Sequence, residues 1–412
     1  MTSTTFTARV ASSISALDAA AWDACANPPG RSIEEAEGER FNPFISHAFL
    51  DALEASGSVG GRSGWAPAHV VVEDARGRMV AAAPCYLKSH SQGEYVFDHA
   101  WADAYERAGG RYYPKLQVAS PFTPVTGRRL LVAPDAPQGA RAALIGALRE
   151  LRKQTKTSSL HVTFPTVEDA ERLSEAGFLV RTGEQFHFSC QGYSHFEDFL
   201  AALASRKRKA IKRERRDALL GDVAIEWVTG SSIRSEHWDA FFKFYMHTGS
   251  RKWGRPYLTR AFFDRIGATL ADRVLLVMAR RAGRYIAGAI NFIGDDALYG
   301  RNWGAIEHRP FLHFEVCYYQ AIDFALHRGL RRIEAGAQGE HMLARGYRPA
   351  LTYSAHEFAD ARLAKAIADY LEHERIAVDR TIAYYEGHAP FRRAEDDATA
   401  AERLGESFDA DV

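Results

Sequence analysis

Residues 283–293 read Gly-Arg-Tyr-Ile-Ala-Gly-Ala-Ile-Asn-Phe-Ile, and residues 298–303 read Leu-Tyr-Gly-Arg-Asn-Trp. A Gly-Asp-Asp-Ala turn separates the two runs, which together predict an antiparallel hairpin. Apolar residues then recur every three or four positions from His313 to His327, so this segment is predicted to be a helix with one buried stripe. Short strands are predicted at 331–335 and 351–358. The order hairpin, helix, strand and strand indicates a mixed α/β domain.

The same order of elements occurs earlier in the chain. Residues 77–83 (Gly-Arg-Met-Val-Ala-Ala-Ala) align with residues 283–289, and a helix predicted at 139–154 precedes a strand at 159–164. His187 and His356 stand at equivalent places in the two series, which favours a structural role for at least one of them. An ordered series of matches indicates an internal repeat. Because the order hairpin, helix, strand and strand resembles the second half of a GNAT-type acyltransferase fold, we predict an α/β (α+β) fold of two tandem GNAT-like acyltransferase domains joined by a basic helix.

The repeat predicts how the chain is divided. A first GNAT-like domain is expected at 1–194, a basic linking helix at 195–220, a second GNAT-like domain at 221–358, a C-terminal helix at 359–386 and an acidic tail at 387–412. Within the first domain, strands are predicted at 79–88 and 94–97. The aromatic and charged segment 98–129 has no clear period, which favours a wall of a binding cleft over a packed insertion.

The composition, 46% hydrophobic and 25% charged, is ordinary for a soluble globular protein. Lys+Arg and Asp+Glu each number 52, so the formal net charge is zero and does not by itself favour a polyanionic partner. The cysteines are scattered, which argues against a disulfide scaffold or a metal site and favours a reducing cytosol. No signal peptide or spanning apolar run is evident. We expect a cytoplasmic location, with peripheral contact at the inner face of the membrane left open, as is the oligomeric state.

A coenzyme A loop is not evident in either copy. Ordinary GNAT acetyltransferases place a glycine-bearing turn at a helix N-terminus, where its backbone amides face the pyrophosphate. Residues 307–313 contain no glycine, and Pro310 removes a backbone donor. Residues 134–140, before the first-copy helix, fit the pattern poorly. The sequence therefore predicts no bound cofactor and no tight binding of acetyl-CoA.

Several longer motifs carry a family resemblance. They lie at residues 93–105, 112–116, 121–127, 205–209, 251–254, 313–315 and 334–341. Together with the two GNAT-like copies and the basic helix, they resemble the FemAB-like proteins over residues 40–385. The resemblance implies kinship with transferases that move an amino acid from aminoacyl-tRNA to the peptide of a peptidoglycan precursor. One departure is Met342, where the family pattern has a lysine.

The candidate chemical centre follows the strand at 331–335, at the end where α/β sheets usually place their sites. Glu334 is the first choice for a general base or an amine-orienting group, and the turn at 336–339 offers backbone amides for an oxyanion. The alternative is that Glu334 and a second carboxylate, Glu315, pair with Arg301, Arg331 or Arg332 as structural ions. The full set of predicted catalytic residues is Glu334, Glu315, Glu340 and His341.

Substrate-binding residues are expected from both copies. Alternation along the hairpin strand puts Tyr299, Arg301 and Trp303 on one face, where they would line the cleft. The first copy would close it. The predicted set is Asp98, His99, Trp101, Tyr105, Tyr113, Lys115, Thr123, Lys252, Trp253, Tyr299, Arg301, Trp303, His313, Gln338 and Arg345.

The linking helix has eight Lys or Arg residues among the eleven from Arg206 to Arg216. One interpretation is a solvated face that spans the domains. We favour the other, a phosphate-binding surface for tRNA or for an anionic lipid-linked precursor. The contacts are expected from Arg206, Lys209, Lys212, Arg213 and Arg216.

The predicted function is a FemAB-like acyl or aminoacyl transfer to a small-molecule or peptide amine acceptor, with aminoacyl-tRNA as the donor that the resemblance implies. Two alternatives stay open at this point. One is a coenzyme A-dependent N-acyltransferase with a non-standard phosphate loop. The other is a non-catalytic protein that binds cell-wall fragments or RNA.

Overall fold

The computed structural model describes residues 5–28, 41–252, 256–336 and 340–392. The first copy contains, in chain order, β1 (Thr7–Ala11), α1 (Ala19–Ala26), α2 (His47–Ala55), β2 (Trp65–Pro67), β3 (His69–Glu73), β4 (Met79–Ala83), β5 (Cys85–Lys88), α3 (His99–Arg107), β6 (Lys115–Val118), β7 (Leu131–Val132), α4 (Ala140–Thr155), β8 (Ser159–Thr163), α5 (Val167–Glu175) and β9 (Leu179–Ser189).

Two helices connect the copies, α6 (Phe196–Ala202) and α7 (Ser205–Ala218). The second copy contains β10 (Ala224–Thr229), α8 (Ser235–Lys252), α9 (Arg260–Thr269), β11 (Val274–Arg281), β12 (Arg284–Ile293), β13 (Ala297–Ala305), α10 (Leu312–Phe314), a π-helical turn (Glu315–Tyr319), α11 (Gln320–His327), β14 (Arg332–Glu334), β15 (Arg348–Phe358) and α12 (Ala361–Gly387).

The strand pairing confirms the predicted duplication. In the second copy, β10–β11, β11–β12 and β12–β13 are antiparallel pairs, and β13–β14 is a parallel pair. The first copy repeats these pairs as β1–β3, β3–β4, β5–β6 and the parallel pair β6–β8. Each copy therefore has the GNAT-like order predicted from the sequence.

One difference between the copies lies at Pro84. The single strand predicted for 79–88 is broken there into β4 and β5, because proline cannot donate to a sheet ladder. As a result, β4 belongs to a four-stranded sheet of order β1-β3-β4-β7, and β5 belongs to an eleven-stranded sheet. The second copy keeps β12 unbroken.

The two copies exchange their last strands. The order of the large sheet is β10-β11-β12-β13-β14-β9-β15-β8-β6-β5-β2. Strand β9 of the first copy lies against β14 of the second, while β15 of the second lies against β8 of the first. This register places His187 opposite Glu334 and His356 opposite His161. The predicted domain boundaries separate the two repeats in the sequence, whereas the centre of the sheet contains strands from both repeats.

Apolar side chains pack against both sheets. Strand β11 is buried from Val274 to Ala279, as expected for a central strand rich in β-branched and aliphatic residues. Helix α4 presents Leu144 and Leu148 to β3 and β4. Helix α11 presents Ala321 and other apolar residues to the second-copy core. These cores fix the strands whose ends form the sites described below.

Two further predictions were wrong in detail. Residues 94–97 form no strand, and the Glu94 carboxylate is instead buried beside Lys115. The predicted linking helix is two helices, because the backbone bridge of Leu203 to Phe391 interrupts it between α6 and α7. Within the described part of the chain, no helix has the length and apolar character needed to cross a membrane.

Candidate active site

A cavity of about 180 Å³ lies where β13 and β14 separate. The two strands pair from Ala297 with Arg332 to Tyr299 with Glu334, and beyond that point β13 continues without β14, paired only with β12. The cavity therefore opens at the carboxyl ends of parallel strands, where α/β sheets commonly bind ligands. Its walls include Tyr245, Thr248, Asn291, Arg301, Trp303, His313, Cys317, Tyr318 and Ala335.

A π-helical turn forms one side of the cavity. The helix predicted over His313–His327 is confirmed, but Glu315–Tyr319 makes a wider turn within it. Such turns are frequent at functional sites. Here Cys317 and Tyr318 line the cavity, while Glu315 is directed into contacts with α7.

Aromatic rings and imidazoles pack together on this side. The His313 ring lies 5.2 Å from the Trp303 ring and 5.5 Å from the Tyr318 ring, measured between centroids. The Tyr318 hydroxyl and His341 Nε2 are 2.9 Å apart. Burial raises the pKa of Tyr318, so its hydroxyl stays protonated at neutral pH. The predicted residues Trp303, His313 and His341 are thus brought together.

Glu334 ends β14 with only one of its oxygens hydrogen-bonded. Arg332 Nε donates to Oε1 at 3.0 Å, and the residue is 2% exposed. Neither Glu334 Oε2 nor His187 Nε2 has a hydrogen-bond partner within the described residues, and the two atoms are 3.9 Å apart. Burial lowers the pKa of His187, although Glu334 opposes this effect. A neutral imidazole therefore faces a buried carboxylate across a gap.

Arg301 lies in the wall of the cavity. Its Nη2 donates to the Phe122 carbonyl at 3.3 Å, whereas Nη1 has no partner among the residues described. Asn291 Nδ2 on β12 is likewise buried without a partner. Burial also lowers the pKa of Arg301. Buried polar groups are usually satisfied, so these donors indicate a place for a polar ligand.

Glu315 has a structural environment. It is fully buried, and Arg215 of α7 donates to its Oε1 at 3.0 Å while also bonding Asp323 at 2.7 Å. Gln320 donates a further bond. The contacts match the ion-pair alternative, but the partner is Arg215 rather than Arg301, Arg331 or Arg332. A catalytic role for Glu315 stays a prediction that this geometry does not favour.

Arg345 is also held by α7. Its Nη2 donates to both oxygens of Glu214, at 3.0 and 2.9 Å, and its guanidinium lies 3.3 Å from the Phe314 ring centroid. Tyr319 donates to the same carboxylate. These contacts join the basic helix to the π-helical turn. Substrate binding by Arg345 stays a prediction.

The predicted first-copy residues do not line the cavity. Lys115 donates to Glu94 at 2.7 Å and to Asp98 at 2.5 Å, in a cluster that is almost completely buried. Burial lowers the pKa of Lys115, but the neighbouring Glu94 and Asp98 carboxylates raise it by more, so the pKa is raised overall and the ammonium group stays charged. The other predicted side chains make contacts away from the cavity: Trp101 with His356, Tyr105 with Asp360, Tyr113 with Ser91, Thr123 with Pro121 and His99 with Phe97.

The remaining predicted residues divide into three groups. Trp253 and Gln338 lie outside the described residues, as do the side chains of Lys252 and Glu340. Tyr299 is buried against Phe44 rather than in the cavity. On α7, Arg206 and Lys209 are exposed and have no carboxylate partner in the described chain, whereas three others pair locally: Lys212 with Glu197, Arg213 with Asp217, and Arg216 with Asp217.

Sequence reasoning missed several residues of the site. Asn291 interrupts an otherwise apolar strand, which was the available signal for it. Cys317 and Tyr318 were assigned to a buried stripe, because a regular helix would turn them inward. The symmetry of His187 with His356 favoured a structural role for at least one of them, so His187 was not placed in the site. In the described parts of the chain, no group of three or more His, Cys, Asp or Glu side chains is arranged to hold a metal ion.

Comparison with known proteins gives one family match. The model of the FemAB-like family, described as peptidoglycan biosynthesis/recognition, matches residues 13–393. No curated protein matches significantly.

Three solved structures resemble the chain at low identity. FemX is 12% identical with a TM-score of 0.49, covering 81% of this chain and 96% of its own. A tandem GNAT protein from the clavulanic acid biosynthesis pathway is 13% identical with a TM-score of 0.43, covering 86% and 99%. L-PGS from Bacillus licheniformis is 10% identical with a TM-score of 0.48, covering 81% and 98%. At this level, the similarities carry no further argument.

Proposed function

We propose, from the premise that the chain belongs to the FemAB-like family of peptidoglycan biosynthesis/recognition proteins, that it is an acyltransferase acting on an amine of a peptidoglycan precursor. The donor would be an activated ester, with aminoacyl-tRNA as the specific candidate. The cavity between β13 and β14 would be the reaction site. The proposal depends most on one observation, the buried polar atoms that have no partner among the described residues: Arg301 Nη1 and Asn291 Nδ2 in the cavity wall, and Glu334 Oε2 and His187 Nε2 on the paired strands β14 and β9.

Those groups suit the attack of an amine on an ester. Glu334 Oε2 and His187 Nε2 are both unpaired within the described structure, so either can accept a proton from an incoming ammonium group. Arg301 Nη1 and Asn291 Nδ2 are donors without a partner among the residues described, and they would stabilise negative charge on the carbonyl oxygen. Arg301 lies on β13 and Glu334 on the neighbouring strand β14, so the oxyanion donor and the base would come from adjacent strands.

The step would proceed by addition and elimination. The amine nitrogen forms a bond to the carbonyl carbon, and the carbonyl oxygen takes up the electron pair beside Arg301. When the carbonyl re-forms, the bond from carbon to the ester oxygen breaks. The proton that the nitrogen loses passes to Glu334, which then gives it to the departing ester oxygen, so the carboxylate is restored. The products are an amide and an alcohol, which for this donor is deacylated tRNA.

Helix α7 supports the choice of donor. Arg206 and Lys209 are exposed and lack carboxylate partners in the described chain, so their charges are available to phosphates. On its other side, Arg215 bonds Glu315 of the π-helical turn. A polyanion on the outer face of α7 would therefore lie on an element attached to one wall of the cavity.

The test measures transfer from labelled aminoacyl-tRNA to a peptidoglycan-precursor peptide, with acetyl-CoA as an alternative donor. We expect Glu334→Gln to lower kcat by about 100-fold or more at an unchanged melting temperature. The control is Glu372→Gln on α12, which removes an exposed carboxylate. An unchanged rate per folded Glu334→Gln molecule would exclude Glu334 as the base. Transfer from acetyl-CoA but not from aminoacyl-tRNA would show that the donor is acetyl-CoA.

A further inference from the structure

Helix α7 begins with four consecutive cations. Residues 206–209 read Arg-Lys-Arg-Lys, and Arg206, Lys207 and Lys209 are exposed. The ion pairs that α7 forms within the described parts of the chain all involve residues 212–217. The start of the helix therefore presents positive charge that no described carboxylate neutralises.

Positive charge is unfavourable at this end of a helix. The amino end of the helix dipole is itself positive, so it favours acidic residues. The first turn of α7 contains none, and its N-cap residue, Ala204, has no side-chain oxygen to accept a hydrogen bond from the free amides. An acidic group from elsewhere in the chain would relieve both the repulsion among the cations and the unfavourable position of their charge.

The chain returns to the start of α7 after α12. Phe391 forms a backbone bridge with Leu203, and the Ala204 N–H donates to the Pro390 carbonyl at 3.0 Å. The N–H of residue 392 donates to the carbonyl of residue 202 at 3.1 Å. The segment that follows residue 392 therefore starts beside the junction of α6 and α7, a few residues from the cations at 206–209.

The direction of this bridge is toward a second part of α7. The bridge is antiparallel, so the chain at residue 392 is directed along α6 toward the start of that helix. The start of α6 lies next to the middle of α7, because Lys212 donates to Glu197 at 2.9 Å. A chain that continues in this direction would run alongside α7.

The sequence of residues 393–412 has the charge that complements this surface. It contains seven Asp or Glu residues and two Arg residues. The first three carboxylates, Glu395, Asp396 and Asp397, follow residue 392 by three to five positions. An extended chain covers at most about 3.6 Å per residue, so these carboxylates can lie up to roughly 10–18 Å from residue 392. That distance is sufficient to reach the first turns of α7.

We propose that the acidic segment 393–412 docks on the outer face of α7 in the same chain, with its first three carboxylates on the exposed cations of residues 206–209. A tethered segment acts at a high local concentration, so it competes with polyanions for this surface. The contact itself is independent of the proposed function. Its consequence, control of the access of a phosphate-bearing donor, rests on the phosphate-binding role proposed for α7.

Carbodiimide coupling of the full chain tests the contact. The reagent joins a carboxylate to a lysine amine where the two touch, and mass spectrometry identifies the joined peptides. We expect links from Lys207 or Lys209 to residues 395–397 at low salt, and their loss at about 1 M NaCl, where the screening length is about 3 Å. The control is Lys153, an exposed lysine on α4, which should form no link to the segment.

Binding of inorganic polyphosphate tests the competition. One variant neutralises the first three carboxylates of the segment: Glu395→Gln, Asp396→Asn and Asp397→Asn. Its affinity at low salt should rise by at least about fivefold, the lower end of typical coupling between sites. A matched control removes three exposed carboxylates from α3 and α12 and should have a smaller effect: Asp103→Asn, Glu106→Gln and Glu372→Gln. In a background of Arg206→Glu and Lys209→Glu, the gain from the segment variant should disappear.

The outcomes separate this inference from the proposed function. Absence of the links at low salt would overturn the docking even if transfer activity is found, as would links that form only between labelled and unlabelled copies in a mixture of the two. No gain from the segment variant, or an equal gain from the matched control, would overturn the competition. The links and the gain without transfer from any donor would support the docking and contradict the acyltransferase. Melting temperatures identify any variant that fails to fold.

Discussion

Lowering the pH from 7 to 5 should destabilise the protein through a buried pair of histidines at the centre of the exchanged strands. His161 Nδ1 and His356 Nδ1 are 2.6 Å apart, and both rings are buried. Burial lowers the pKa of His161 to about 3 and also lowers the pKa of His356. Both imidazoles are therefore neutral in the folded protein.

The size of the effect follows from proton binding. An unfolded histidine has a pKa of about 6.5, so below that pH the unfolded chain binds a proton that folded His161 does not. Stability is lost as the pH falls from the unfolded value toward about 3, the pKa of folded His161. Between pH 7 and 5, His161 alone should lower the free energy of unfolding by about 2 kcal/mol. His356 acts in the same direction.

Urea unfolding at pH 7, 6 and 5, at constant ionic strength, measures this loss. The variant His161→Asn keeps a hydrogen-bonding side chain and removes the titration, so its loss over this range should be smaller by about 2 kcal/mol. The relevant quantity is the difference between pH values, which is insensitive to a constant cost of the substitution. His388→Asn, which removes an exposed imidazole, is the control. Equal pH dependence of wild type and His161→Asn would refute the reasoning.

Three further predictions concern the second copy and α7. Arg215→Ala leaves the buried Glu315 carboxylate without its ion partner and should lower the free energy of unfolding in urea by about 3–5 kcal/mol. The control Arg213→Ala removes an exposed pair and should lower it by less than about 1 kcal/mol. Equal losses would contradict the stabilising role of the buried pair. Reversing the charges of Arg206 and Lys209 should lower the slope of log affinity for tRNA against log salt concentration by about 0.7–0.9 per lost contact, at an unchanged melting temperature. Unaltered binding at low salt would indicate that α7 is only a solvated face. Calorimetry with acetyl-CoA should show no micromolar affinity, because the segment before α10 contains Pro310 and no glycine; a micromolar dissociation constant would restore the coenzyme A alternative.

Local features of the fold were predictable because they depend on neighbouring residues. The hairpin of β12 and β13, the helix that follows and the repeat itself are all confirmed. Apolar periodicity and turn residues determine such elements. The break at Pro84 was also readable in principle, since proline is excluded from the interior of a ladder.

Long-range pairing was not predictable from one sequence. The bridge of Leu203 to Phe391 divides the linking helix through residues that lie far apart in the chain. Glu315 pairs with Arg215, which lies 100 positions away in the chain. Sequence spacing does not reveal a contact of this kind. The candidate site was the least predictable part, because His187 lies next to Glu334 only through the exchange of β9 and β15.

The strand exchange also governs how the protein can be divided and how it folds. A fragment that stops after the first copy would keep β8 but lack β15, so it would expose an unpaired sheet edge of the kind that promotes aggregation. The contact of His161 with His356 spans 195 residues. The centre of the sheet can therefore close only after most of the chain has been synthesised, and such non-local pairing slows folding. We therefore expect the two repeats to unfold as one cooperative unit and neither to fold as a separate module.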